Sequence, residues 1–206
     1  MNNVLAKRKS AERQERIDRI LAAAGELFLE KGYNNTTMRD ICQAAQLSTG
    51  AVYFYFKGKD AIYTSICEES FHVLMDLFKA SLDGVDDPLE RLEALNLAYV
   101  KFYTDHNERW LLMSTFRTVG LSQVLFERLE KLDFQAIGMA SAAVADFLEG
   151  KGLVGKYTVQ QITLAVWAGT EGLMDLHQRK YFTYMNANLE EMATMQLEVF
   201  LRGLGE

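Results

Sequence analysis

Proline occurs once in these 206 residues, at Pro88. The usual share is about 5%. A helix interior tolerates proline worst of all residues, because the ring removes a backbone donor and collides with the preceding turn. A chain this poor in proline is expected to be mostly helical, with Pro88 at a helix start. No segment with the two-residue period of a strand competes. The aromatic run Tyr53-Phe54-Tyr55-Phe56 is too short and is hemmed in by capping residues.

Helical periodicity is plain in the first half. Ile17, Ile20, Leu21, Ala24, Leu27 and Phe28 recur at three- and four-residue steps and form one apolar stripe. Gly32 supplies a left-handed stop to that helix. Thr37 followed by Asp40 has capping-box spacing, with Asp in place of the commoner Glu or Gln. A short helix is expected from about Met38 to Ala45, with Ile41, Cys42 and Ala45 inward. Ser48 caps a second short helix through about Tyr55. After a turn at Lys57-Gly58-Lys59-Asp60, a long helix carries Tyr63, Ile66, Cys67, Phe71, Leu74 and Phe78 on one face. Later helices are expected at about 88–105, 107–118, 121–150, 158–181 and 189–204. No Gly/Ser-rich or Pro-rich linker, internal repeat or low-complexity tract interrupts the chain.

With 49% of its residues apolar, the chain can bury a sizeable core. Cys42 and Cys67 have no metal-site spacing and read as small buried residues in a reducing cytoplasm. The opening MNNVLAKRKSAERQERI has no apolar stretch of signal-peptide type, and no run approaches the roughly 18 apolar residues of a membrane span. The expectation is a cytoplasmic protein with no membrane partner. Charge is uneven. Residues 1–60 hold ten Lys and Arg against seven Asp and Glu, whereas the remaining 146 hold twelve against twenty-one. A basic end on an acidic chain suits an anionic partner held locally.

Two short helices joined by a tight turn at Ala45-Gln46-Leu47 form a helix-turn-helix, whose second helix can enter the major groove of DNA. The run Thr36-Thr37-Met38-Arg39-Asp40-Ile41-Cys42-Gln43-Ala44-Ala45-Gln46-Leu47-Ser48-Thr49-Gly50-Ala51-Val52-Tyr53-Phe54-Tyr55-Phe56-Lys57-Gly58-Lys59-Asp60 resembles the DNA-binding signature of the TetR family of bacterial repressors. Ile20 to Phe28 and Lys31-Gly32-Tyr33 fit the family's first helix. The resemblance covers about a quarter of the chain. It departs from the family at Gln46, where Gly is usual, and at Gly58, where Ser or Asn is commoner. If Gln46 must take a left-handed backbone, the strain is on the order of 1 kcal/mol.

The residue types agree with that resemblance. Ser48, Thr49, Gly50 and Ala51 keep the first turn of the recognition helix small and polar, so its backbone can approach base edges. Thr49 and Gly50 are the candidates for base contact. Arg39 has the fork geometry for guanine O6 and N7, and equally for a phosphate. The resemblance places Tyr53 and Tyr55 at phosphates. Thr37 serves as cap and as phosphate ligand, and Lys59 offers a positive charge at the start of the long helix. Lys7, Arg8, Lys9 and Arg13 read as a flexible basic arm adding salt-dependent affinity. Val52, Phe54, Phe56 and Leu47 read as core or half-buried packing, and Lys57 as solvated.

The architecture expected is all-α. A three-helix helix-turn-helix head with its basic arm occupies residues 1–60, and a larger helical domain for effector binding and dimerisation occupies 61–206. The resemblance implies a homodimer through about 158–181 and 189–204. Ala165, Ala168, Gly169 and Gly172 give the first of these a small-residue face, and Met192, Ala193, Leu197, Phe200, Leu201 and Leu204 form a stripe on the second. Either face also suits intramolecular core. An effector pocket is expected among Tyr99, Phe102, Tyr103, Trp110, Met113, Phe116, Met139 and Trp167, whose apolar character suits a small hydrophobic ligand. The competing reading of those aromatics is ordinary core. Polar residues available to orient a ligand are Asn96, His106, Arg117 and His177. No cofactor, metal or catalytic residue is expected: the chain has no nucleophile elbow, phosphate loop or ligand cluster, and its three His are scattered. The function expected is a ligand-released repressor on a pseudo-palindromic operator in double-stranded DNA. A helical sensor or scaffold without specific DNA binding is the alternative, and an activator differs only in where its operator lies.

Overall fold

The computed structural model describes residues 2–204, with side chains from Lys7 onward. Among them are ten α-helices and one short 3₁₀ turn. Helix α1 spans Asn2–Lys31, α2 Met38–Ala44, α3 Thr49–Tyr55, α4 Lys59–Ser81 and α5 Pro88–Asp105. They are followed by α6 Asn107–Ser114, the 3₁₀ turn Phe116–Thr118, α7 Gln123–Gly150, α8 Val159–Gln178, α9 Tyr181–Met185 and α10 Leu189–Gly203. No helix among the described residues is long and apolar enough to cross a membrane.

Local capping chemistry explains most of the boundaries. Asp87 Oδ1 accepts from the amides of Leu89 and Glu90, and Pro88 fills the first helical position of α5, where no donor is needed. Thr158 and Gln161 form a capping box at α8, and Asn188 caps α10. Gly32 ends α1 at φ +79°, the left-handed conformation that glycine adopts without strain.

Three boundaries differ from the expectations above. The basic N-terminal stretch is not an irregular arm but the first turns of α1. It is exposed and held by i,i+4 pairs such as Arg8 with Glu12 at 3.0 Å and Gln14 with Asp18 at 2.8 Å. The helix expected over 107–118 stops at Ser114. There Thr115 turns its hydroxyl onto the carbonyls of Leu111 and Leu112, and Thr118 turns its own onto Thr115, a side-chain competition that favours a tighter turn. The helix expected over 158–181 stops at Gln178, because Lys180 takes a left-handed φ of 66° before α9 restarts the chain.

The chain packs as two compact units. The first comprises residues up to Ser70 together with Glu108–Lys131. Its core is built from Ile20, Ala24 and Phe28 of α1, Ile41 of α2, Val52 of α3, Ile62 and Tyr63 of α4, and Trp110 and Met113 of α6. At Gly25 helix α1 lies close to its neighbours, and a Cβ there would make ordinary contacts at 3.9 Å with Leu112 and 4.0 Å with Ile66. Tyr63 donates to the carbonyl of Leu112 at 2.6 Å. Both cysteines are free and buried, and burial pushes the Cys67 thiol up to about 12.

The second unit comprises Phe71–Asn107 and the residues from Leu132 onward. Helices α5, α8 and α10 pack against one another there. Their seam buries a small polar network: Thr170 donates to Asn96 Oδ1 at 2.7 Å, and the Asn96 amide donates to the Ala193 carbonyl at 3.3 Å. Tyr103 pairs with His177 Nδ1 at 2.8 Å, and the His177 ring meets Phe182 edge-on. Most of the α10 stripe turns out to be intramolecular core, with Ala193, Leu197, Leu201 and Leu204 buried. Gly169 belongs to the same contact, since a Cβ there would sit 2.4 Å from Gln196 Nε2. The outward sides of α8 and α10 keep Leu164, Ala168, Gly172, Leu176, Met195 and Val199 exposed.

Candidate nucleic-acid interface

Helix α2 starts at Met38 because Thr37 is extended and closes a reciprocal box with Asp40. The Asp40 amide donates to Thr37 Oγ1 at 3.2 Å. The Thr37 amide and hydroxyl donate back to Asp40 Oδ2 at 2.9 and 2.7 Å. The Thr37 hydroxyl is therefore already a donor and an acceptor within the cap, and a phosphate seeking that donor would have to displace Asp40. The hydroxyl bond, then the amide bond, hold the Asp40 carboxyl below the usual carboxylate range, and Lys31 and Arg39 add to the effect.

Replacing Thr37 with Ala should lower the stability of the first unit by about 1 kcal/mol. A carboxyl depressed in the folded state contributes its stabilisation above the unfolded value and loses it as pH falls through the folded one. The gap between wild type and Thr37→Ala in urea melts should therefore be full above about pH 5 and shrink in acid. A pH-independent gap would remove Asp40 from the cap's energetics.

Between α2 and α3 the chain turns through Ala45, Gln46 and Leu47. Leu47 N–H donates to Cys42 C=O at 3.0 Å and Gln46 N–H to Gln43 C=O at 3.1 Å, the paired bonds of a Schellman stop. Gln46 carries the left-handed residue of that motif at φ 54°. Arg19 of α1 reaches over to donate to the Ala45 carbonyl at 2.7 Å, a brace that the apolar pattern of α1 did not reveal. Because Gln46 is exposed and strained, Gln46→Gly should raise stability by about 1 kcal/mol. An unchanged or lower melting midpoint would refute the strain.

Ser48 then caps α3 by accepting from the Ala51 amide at 3.2 Å. Val52, fully buried, and Phe56 fasten α3 to the core. The opposite side, with Thr49, Gly50 and Tyr53, faces solvent. Arg39 on α2 is exposed too, while Tyr55 is half-buried. Phe54 differs from its expected packing role: it is 76% exposed, beside Gly50 on the outer face, with its ring edge-on to Tyr55 at 5.1 Å.

Lys59 stands elsewhere. Its ammonium donates to the carbonyls of Tyr33, Thr36 and Asn34 at 2.8, 3.1 and 3.4 Å and lies 4.4 Å from the centre of the Tyr33 ring. Tyr33 OH donates to Asp60 in the first turn of α4, and burial followed by that bond pushes its hydroxyl pKa up. Thr36, buried, donates to the carbonyls of Leu27 and Gly32. Tyr33, Thr36, Lys59 and Asp60 thus form a clamp between the α1–α2 loop and the start of α4. Sequence reasoning assigned only Lys59 among them, and assigned it to phosphate.

The eight residues offered as effector lining are divided. Trp110, Met113 and Phe116 are buried in the first unit. Tyr99, Phe102, Tyr103, Met139 and Trp167 belong to the second, where Tyr99 OH and Trp167 Nε1 both donate to Glu171. A groove of about 330 Å³ in the second unit involves none of them; Leu89, Glu93, Phe147, Lys151, Glu198 and Leu201 are among its walls.

Residues 20–66 match the family described as bacterial regulatory proteins, tetR family. YttP of Bacillus subtilis, a probable HTH-type transcriptional regulator, is 24% identical over 127 residues, covering 58% of this chain and 61% of that protein. The HTH-type transcriptional repressor KstR2 of Mycolicibacterium smegmatis is 31% identical over 83 residues, 40% of each chain. The chain thus aligns with less than two thirds of the length of either relative. Among solved structures, the TetR family transcriptional regulator PfmR from Thermus thermophilus superposes with a TM-score of 0.72. It is 25% identical, and the superposition covers 89% of this chain and 97% of PfmR. Residues 20–66 thus carry the DNA-binding head of the TetR family of bacterial regulatory proteins, and the fold over most of the chain is the one PfmR has.

Proposed function

We propose that the chain represses transcription as a homodimer that binds a pseudo-palindromic operator and is released by a small hydrophobic effector. The observation that carries the reading is the outer face of α3. Thr49, Gly50 and Tyr53 face solvent on a helix whose other side is anchored by Val52 and Phe56. Such a helix can enter a major groove without refolding. Thr49 and Gly50 meet base edges, Arg39 reads guanine or holds a phosphate, and Tyr53, Tyr55, Ser48 and Thr37 position the backbone.

Residues 1–60 act as the DNA-binding head and 61–206 as the effector-binding and dimerisation part. Two heads reach successive grooves about 34 Å apart only when joined, and the exposed apolar sides of α8 and α10 are the joining surface. The name of KstR2 as a repressor supports the sign of regulation. The aromatic seam of α5 and α8, with Tyr99, Phe102, Tyr103 and Trp167, supports a hydrophobic effector.

The test is selection of random duplexes by the purified protein, then salt titration of those recovered. A pseudo-palindrome whose affinity falls steeply with salt is the expected result, and its release by hydrophobic compounds identifies the effector class. Weak, sequence-blind binding would favour a helical sensor that does not read DNA.

A further inference from the structure

Phe54 is the most exposed large apolar side chain of α3, although a solvated phenylalanine is an unfavourable choice for a surface helix. On the helix it follows Gly50 by four residues, so the two lie one above the other on the outer face. A helical side chain covers the turn N-terminal to its own Cα, which here is the bare turn at Gly50. Apart from the helix's own backbone and the two residues flanking Gly50, nothing lies within 4 Å of the position a Cβ on Gly50 would take, so the Phe54 ring stands clear of it. The result is a shallow recess with backbone for its floor and an aromatic ring for one wall. Tyr55, half-buried, meets the Phe54 ring edge-on at 90°.

The occupant follows from the groove that α3 enters. Base edges in the major groove are donors and acceptors with one apolar exception, the C5 methyl of thymine. We propose that the recess between Phe54 and Gly50 takes the methyl group of a thymine in each half-site, making Phe54 a specificity-determining residue. This deepens the DNA-binding reading and rests on it. Thr49 and Arg39 offer hydrogen bonds to base edges, while Phe54 adds discrimination between thymine and the three bases that lack the methyl.

The probe is the duplex recovered by selection, with each thymine in turn replaced by deoxyuridine, which removes only the methyl. For wild type, one thymine per half-site should matter. Its replacement weakens binding about fourfold, and about fifteenfold when both half-sites are changed, the effect of one and two buried methyl-sized groups. Phe54→Ala, which should melt like wild type because the ring is exposed, should bind the thymine duplex more weakly and be blind to the exchange. Phe54→Leu should keep part of the discrimination. Gly50→Ala should fold as well as wild type and lose the discrimination, because its methyl fills the recess.

Tight wild-type binding that is indifferent to uracil at every position would overturn the inference. So would Phe54→Ala retaining the same thymine preference. Failure to recover any operator with wild type shows itself before a base is exchanged; it would remove the DNA-binding reading and this inference with it.

Discussion

Leu164→Glu should leave the chain folded, leave it monomeric, and weaken operator binding by a hundredfold or more. Leu164 is 61% exposed on α8, and Val199 is 66% exposed on α10. Exposed apolar residues on two neighbouring helices form a patch of the kind that marks an interface. The inward sides of the same helices are already filled by Ile162, Met174, Ala193 and Leu197. The patch is therefore surplus to the fold, and a carboxylate added there disturbs no core. In a two-fold dimer every substitution enters the interface twice. Two carboxylates taken from water into an apolar contact are each disfavoured by several kcal/mol. Once the subunits part, each head binds its half-site alone, and the gain from linkage, about 10² to 10⁴, is lost. Sedimentation and operator titration of Leu164→Glu and Val199→Glu read both effects, with Val124→Glu, equally exposed at 69% but in the first unit, as control. A dimer of normal affinity in both α8 and α10 variants would move the interface elsewhere.

What could be read from the chain alone was what neighbouring residues decide among themselves. Thr37 with Asp40, Ser48, Pro88 and Gly32 each set a helix boundary by a bond or backbone preference spanning four residues or fewer, and all act as expected. The left-handed backbone at Gln46 was legible only through the resemblance, because Gly is usual at that position. Lys180 was not, because a non-glycine residue carries no mark of a positive φ until its surroundings impose one. The first turns of α1 were hidden differently: the apolar stripe begins only at Ile17, and residues 7–16 before it are exposed and mostly polar.

Tertiary questions were harder. An apolar stripe shows that a face is covered but not by what, so the α10 residues Ala193, Leu197 and Leu201 suited a partner chain as well as they suit α8 and α5. Phe54 was misread because an aromatic beside Val52 and Phe56 resembles core, whereas helix phase turns it outward. The aromatics of 99–116 read as one set, and the fold divides them between two units.

Lys59→Met should lower the stability of the first unit by about 2–3 kcal/mol while leaving the salt dependence of operator binding as it is in wild type. In isolation a lysine at the start of a long helix reads as a phosphate ligand, and its removal would then reduce the salt slope by about 0.9. The geometry favours the other outcome. Three ammonium protons face three carbonyl oxygens, and the charge rests on the Tyr33 ring. Hydrogen bonds from a charged donor contribute about 1.5–3 kcal/mol. The ring adds a fraction of that, and water reaching the abandoned carbonyls returns some of the loss. For a chain of this length the melting midpoint should fall by about 5–10 °C. Methionine keeps most of the stem's packing, so the loss belongs to the ammonium. Lys59→Arg should recover only part of it, because a planar fork cannot aim at three converging oxygens as a tetrahedral ammonium does. If Lys59→Met instead melted like wild type and lost one phosphate's share of the salt slope, the ammonium would be a DNA ligand that rests on the loop only in the free protein. The clamp on the α1–α2 loop would then have to be held by Tyr33, Asp60 and Thr36 alone.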